Sequence, residues 1–149
     1  MSVVNSITNM NIDELKVYNL AIELGESVWN IVSKWDYFAK ETVGKQFVKA
    51  ADSVAANISE DYGRYHYKEN IQFNYYSRGS LFETKTWLTK SKNRNLISNE
   101  EYENLCERII TLTKLLNNYI KSIGSSGNEL KEAEFLYITN IDEDLINLL

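Results

Sequence analysis

The chain has 149 residues, 44% of them hydrophobic, with one cysteine (Cys106), one histidine (His66), six glycines and no proline. That is the size of a single domain with an adequate core, and it excludes an intrachain disulfide and any cysteine-rich metal site. The net charge of −5 lies wholly in residues 124–149, where Lys131 stands against Glu129, Glu132, Glu134, Asp142, Glu143 and Asp144, while residues 1–123 carry 15 charges of each sign.

With no proline and few glycines, nothing interrupts long helices, so the composition predicts an all-α protein. No Lys or Arg precedes Lys16, and no apolar run is long enough for a signal peptide or a membrane span. The expectation is a soluble, cytoplasmic chain with no membrane partner.

A first helix is predicted over about residues 13–34, with Leu15, Tyr18, Ile22, Gly25, Trp29 and Val32 repeating at three- and four-residue steps as its core seam. Asp13 and Glu14 would complement the dipole in its first turn. Trp35, Tyr37 and Phe38 then form an aromatic connection expected to cap one end of the core. The second helix, about 43–62, places Phe47, Ala51, Val54 and Ile58 on one face. Its pairs Ala50-Ala51 and Ala55-Ala56 let helix axes approach closely, and Gly63 suits the left-handed conformation that often ends a helix.

The third helix, about 68–93, puts Ile71, Tyr75, Phe82 and Thr89 on one side and Gly79-Ser80 at its middle. A mid-helix glycine costs about 1 kcal/mol against alanine, and close contact with a neighbouring helix is the expected compensation. Residues 68–94 carry Lys68, Arg78, Lys85, Lys90, Lys92 and Arg94 against only Glu69 and Glu83, a local charge of +4.

The fourth helix, about 99–123, opens with Ser98 and Glu101 in capping-box spacing. Tyr102, Leu105, Ile109, Leu112, Leu116, Tyr119 and Ile123 then follow as a coiled-coil-like seam. Residues 1–123 thus form the bundle, and residues 124–149 a linker and tail. Gly124-Ser125-Ser126-Gly127-Asn128 is flexible by composition. Phe135, Leu136, Tyr137, Ile138, Ile141, Leu145, Ile146, Leu148 and Leu149 are interleaved with the tail's acids, a pattern that suits docking on the bundle, a neighbouring subunit or another protein.

The chemistry of an enzyme is missing. A carboxylate-bridged di-iron bundle needs Glu-x-x-His on two helices, and the lone His66 has Gly63 three residues before it. No glycine-rich phosphate cradle is present. Glu60, Asp61 and Glu69 fall near one helix junction, but acids there pair with Arg64 and Lys68 or stay solvated, so no metal and no cofactor are expected. No catalytic residue is assigned. Ser53, Asn57, Glu60, Ser80 and Glu83 read instead as a structural polar network between helices, since small polar residues beside alanine and glycine need hydrogen-bond partners once buried. Trp29, Trp35 and Trp87 read as core or interface aromatics.

Phe38, Glu41, Gly44, Gln46, Ala50-Ala51-x-Ser53-Val54, Asn57-Ile58-Ser59-Glu60, Gly63-Arg64, Phe73, Gly79-Ser80 and Glu83 stand in an order and at spacings that resemble a known family. These are the four-helix-bundle proteins first noticed as products of intervening sequences in bacterial 23S rRNA genes, a family that includes the accessory variability determinant of diversity-generating retroelements. The resemblance covers about residues 13–123. It implies an up-down-up-down four-helix bundle assembled as a ring-shaped homopentamer, and, from the retroelement members, nucleic-acid binding in partnership with a reverse transcriptase. The chain departs from the pattern at Ala39, commonly proline, at Asp61, commonly glycine, and at Val48-Lys49, commonly an arginine pair.

Together these features predict a non-enzymatic, homo-oligomeric bundle that binds RNA or DNA, or a nucleic-acid-processing partner such as a reverse transcriptase, through Lys85, Lys90, Lys92, Arg94, Lys49 and Arg64. A positive rim of this kind binds phosphate in a salt-dependent way. The alternative is a structural adaptor that docks a protein partner through its acidic, apolar tail and binds no nucleic acid.

Overall fold

The structure, a computed structural model, describes Ile12, Leu15 to Gly63 and Tyr67 to Gly124, with backbone alone at 67–71, 123 and 124. Asp13, Glu14, Arg64, His66 and the tail after Gly124 lie outside the described residues, and so do the expectations that fall on them.

Four long helices make up the fold: α1 (Lys16–Val32), α2 (Lys45–Tyr62), α3 (Tyr67–Asn93) and α4 (Asn99–Gly124). They run up, down, up and down. Gly25 faces Asp52 and Val32 faces Gly44 between α1 and α2; Val54 meets Ser77 and Asp61 meets Asn74 between α2 and α3. Lys85 reaches Cys106 and Lys92 reaches Asn99 between α3 and α4. Each pair has falling numbers against rising ones, the mark of antiparallel neighbours.

The α1 seam matches the expected one in part: Leu15, Gly25 and Val32 are buried as their spacing requires, but the rest differs. Val17, Ala21, Leu24, Val28 and Val32 fill the core, whereas Ile22 is 41% and Trp29 57% exposed. α1 carries two apolar stripes, and the bundle takes the one whose side chains are small enough to meet α2 closely. The closeness is visible at Gly25, where a Cβ would lie 2.6 Å from Asp52 Oδ1, and at Gly44, where it would lie 2.7 Å from Val32 Cγ1.

The connection after α1 does not cap the core with all its aromatics. Trp35 does pack on Phe47, with ring centroids 6.4 Å apart, but Tyr37 and Phe38 are 79% and 77% exposed. Asp36 explains this: its Oδ1 accepts from Ala39 N at 2.9 Å, so the chain enters a helical turn (Tyr37–Ala39) with those rings on its outer side. A π-helical turn (Lys40–Gly44) then runs straight into α2, so the helical path begins earlier than the residue 43 suggested by spacing.

On α2, Phe47, Ala51, Val54 and Ile58 are fully buried, as their spacing requires. Gly63 ends the helix in right-handed conformation, φ −78°. Among the described residues the left-handed position is Asn95, φ 57°, in the α3–α4 turn.

α3 is the least legible helix. Its inward seam is Asn74, Ser77, Leu81, Thr84, Leu88 and Ser91, each with no exposure. The steps are those of a bundle seam, but four of the six side chains are polar. Two of the four are reconciled with the core locally, Thr84 Oγ1 donating to Ser80 O and Ser91 Oγ to Trp87 O, each at 2.7 Å, and the other two, Asn74 and Ser77, donate across to α2. Gly79 has open space around the place of a Cβ, so close helix contact is not what it serves.

α4 matches its pattern. Leu105, Ile109, Leu112, Leu116 and Tyr119 are buried. The capping box forms as spaced: Glu101 N donates to Ser98 Oγ at 3.0 Å and Ser98 N to Glu101 Oε1 at 2.9 Å.

Candidate nucleic-acid interface

The carboxyl-terminal half of α3 turns its small polar seam inward, which leaves its lysines on the flanks and outer face. Lys85, Lys90 and Lys92 are half-buried and Arg94 is exposed just past the helix. The lysines lie along aromatic rings: Lys85 Nζ and Lys92 Nζ stand 5.1 and 4.6 Å from the centroid of Tyr102, and Lys90 Nζ stands 5.5 Å from that of Trp87. Lys85 Nζ also donates to Tyr102 Oη at 3.1 Å, and Lys92 Nζ to Asn99 Oδ1. The ammonium groups lie against the rings, a cation–π contact that keeps their positive charge.

Among the described residues, no carboxylate forms an ion pair with this group. The acid nearest along the helix, Glu83, accepts from Trp87 Nε1 at 3.2 Å. Among the described residues an ion pair joins Arg108 to Glu23 at 3.6 Å, and none involves Lys49, Lys85, Lys90, Lys92 or Arg94. Lys49 is exposed on α2 and shares none of the ring contacts. Arg64 lies outside the described residues. The structure thus brings Lys85, Lys92 and Tyr102 together, sets Lys90 with Trp87, and leaves Lys49 apart. Tyr102 is the member that sequence reasoning missed, because 17 residues separate it from Lys85 and no pattern links them.

The expected polar network is corrected by the hydrogen bonds. Ser53 Oγ donates to Lys49 O at 2.7 Å and Asn57 Nδ2 to Ser53 O at 2.9 Å, both within α2. Ser80 contributes its carbonyl to Thr84, Glu83 serves Trp87, and Glu60 is exposed. The polar contacts that cross between helices fall on other residues. Ser77 Oγ donates to Val54 O at 2.7 Å, Asn74 Nδ2 to Asp61 Oδ2 at 2.7 Å, and Tyr119 Oη to Asp61 Oδ2 at 3.5 Å. No sequence pattern links these residues, because Asp61, Asn74 and Tyr119 meet only through the packing of three helices.

A third surface is the outer stripe of α1. Ile22 borders an open groove of about 310 Å³ between α1 and α2, which includes Tyr18, Ala56, Glu26 and Asp52. Burial first, and the like charge of Glu26 second, push the Asp52 carboxyl above the usual range. Among the described residues no cluster of three or more His, Cys, Asp or Glu side chains is placed to hold a metal ion, and no helix is long and apolar enough to cross a membrane.

Comparison with known proteins agrees with the geometry of the bundle. A protein of unknown function of the S23 ribosomal protein family from Bacteroides thetaiotaomicron has a similar fold, with a TM-score of 0.62 and 21% identity over 69% of this chain and 96% of that one. No curated protein sequence matches. The profile of the 23S rRNA-intervening sequence protein family matches residues 13–118, which span α1 to α3 and most of α4. This chain belongs to the 23S rRNA-intervening sequence protein family.

Proposed function

We propose that the chain is a non-enzymatic, self-assembling cytoplasmic bundle that binds nucleic acid through the basic end of α3, as an accessory to a nucleic-acid-processing partner such as a reverse transcriptase. The observation that carries this reading is the group Lys85, Lys90 and Lys92 seated beside Trp87 and Tyr102, with Arg94 exposed just past the helix and no carboxylate paired to any of the four among the described residues. Lysines held near half-exposed rings suit a phosphate backbone that carries unpaired bases, because the cations meet phosphate and the rings meet base faces. Kinship with the accessory determinant of retroelements belongs to the same reading.

Self-assembly is supported by the second apolar stripe of α1, where Ile22 and Trp29 are exposed in a single chain. Large side chains on an outer face are ordinary when a neighbouring subunit covers them. The resemblance makes that assembly a homopentameric ring. A ring repeats the α3 group on every subunit and raises the potential each phosphate meets.

An electrophoretic-shift assay with labelled single-stranded RNA and DNA tests the reading. The full chain retards the probe at low salt, and Lys85→Gln/Lys90→Gln/Lys92→Gln abolishes the shift while keeping the helical spectrum. A chain ending at residue 124 shifts at lower protein concentration if the acidic tail competes with phosphate for the same lysines. No shift with either the full or the shortened chain overturns nucleic-acid binding and favours the adaptor, a protein docked through the tail. A light-scattering mass equal to one 17.3 kDa chain overturns the ring.

A further inference from the structure

Where α2 ends, three helices converge on a carboxyl group. Asp61, in the last turn of α2, is 1% exposed; Asn74 of α3 has no exposure and Tyr119 of α4 has 8%. Asn74 spends its amide nitrogen on Asp61 Oδ2 at 2.7 Å, and Tyr119 Oη approaches the same oxygen at 3.5 Å. The amide oxygen of Asn74 is buried with no donor. A buried amide oxygen left without a donor is costly, and the group already held by its own nitrogen is a carboxyl.

An ionised carboxylate is an acceptor only and cannot serve that oxygen. A protonated carboxyl can. Asn74 N–H donates to one carboxyl oxygen while the carboxyl O–H donates to Asn74 Oδ1, two parallel bonds that close a ring and satisfy both groups. We infer that Asp61 and Asn74 form such an acid–amide pair, so that a proton on Asp61 clasps α2 to α3 beside their turn and its release loosens this end of the bundle.

Among the described residues it is burial, not neighbouring charge, that favours the proton. On α2 the neighbours are exposed Glu60 and half-buried Tyr62. On α4 they are Tyr119, with Lys121 exposed beyond it. On α3, Arg78 lies one turn on, with its guanidinium carbon 5.2 Å from the Tyr75 ring. The α1–α2 register places Leu15, buried, and Lys16, exposed, at the level of Asp61. Burial dominates: it raises the Asp61 carboxyl to about 7, against smaller lowering by Asn74 and Tyr119. Tyr119 is itself pushed up, by burial first and the Asp61 charge second.

The direction of the pH effect follows. The folded chain holds the Asp61 proton to about 7 and the unfolded chain releases it near 3.8, so the contribution to stability is complete below the lower value and is lost as pH rises through the upper one. Across that window the unfolding constant climbs by up to about tenfold per pH unit. The clasp is separate from the α3 lysines and stands or falls independently of nucleic-acid binding.

Urea unfolding of the full chain and of Asp61→Asn from about pH 4 to about pH 9 tests it. Because Asn keeps the shape of the pair without a titrating proton, the native chain should lose stability relative to Asp61→Asn as pH rises to about 7. Parallel profiles overturn the inference. Carbon-13 NMR of labelled aspartate in the native chain is a second readout that does not depend on the variant folding. An Asp61 carboxyl resonance titrating near neutrality supports the pair, and one titrating near 3.8, the ordinary value, overturns it.

Discussion

α3 and α4 lie side by side and present the same three- and four-residue steps to the core, but α4 fills them mainly with large apolar side chains and α3 mainly with small polar ones. α4 buries Leu105, Ile109, Leu112 and Leu116 with Thr113 and Asn117 beside them; α3 buries Asn74, Ser77, Thr84 and Ser91 around Leu81 and Leu88. The apolar seam supplies hydrophobic stabilisation in proportion to area. The polar seam supplies thin side chains that let helices approach, and it depends on each hydroxyl finding an acceptor. The difference also sorts the outer faces, since α3, with little apolar bulk inside, carries its rings and lysines on its flanks, where a ligand can reach them.

The largest test of this contrast is Leu112→Ala. Removing a fully buried leucine from the apolar seam should destabilise the bundle by about 3 kcal/mol in urea unfolding, through lost transfer energy and the cavity left behind. Ser77→Ala on the polar seam removes the bond to Val54 O without opening a large cavity, so it should cost about 1 kcal/mol. Equal losses at the two positions would break the comparison. Gly79→Ala sharpens it further in the opposite direction: with open space around that position, alanine should stabilise the chain by about 0.5–1 kcal/mol through helix propensity and a less flexible unfolded state. A loss of stability there would mean that the outer face of α3 is covered in the assembled protein.

The helices themselves were legible where bulk apolar residues set the period. The α4 seam and the Ser98–Glu101 capping box could be read directly, because both rest on local spacing. The inward face of α3 could not, since Ser77, Thr84 and Ser91 look like surface residues until the acceptors that bury them are known. On α1 the pattern contained two stripes, and choosing between them required the register with α2 that Gly25 and Asp52 establish. Of the candidate interface, the cations on α3 were legible as charge surplus, whereas Tyr102 was not, because its meeting with Lys85 depends on the fold. The polar network was placed on small residues of α2 and α3, but its interhelical members are Asp61, Asn74, Ser77 and Tyr119. Nothing local pointed to them, because their contacts depend on how α2, α3 and α4 pack.

The salt dependence of binding bears most directly on the account. Fluorescence anisotropy of a labelled single-stranded oligonucleotide, titrated with the full chain at several salt concentrations, gives the slope of log K against log salt. The α3 lysines predict a steep negative slope that becomes shallower by about 0.7 for each lysine replaced by glutamine at 85, 90 or 92. A slope unchanged in the triple variant, or no binding at the lowest salt, would contradict it.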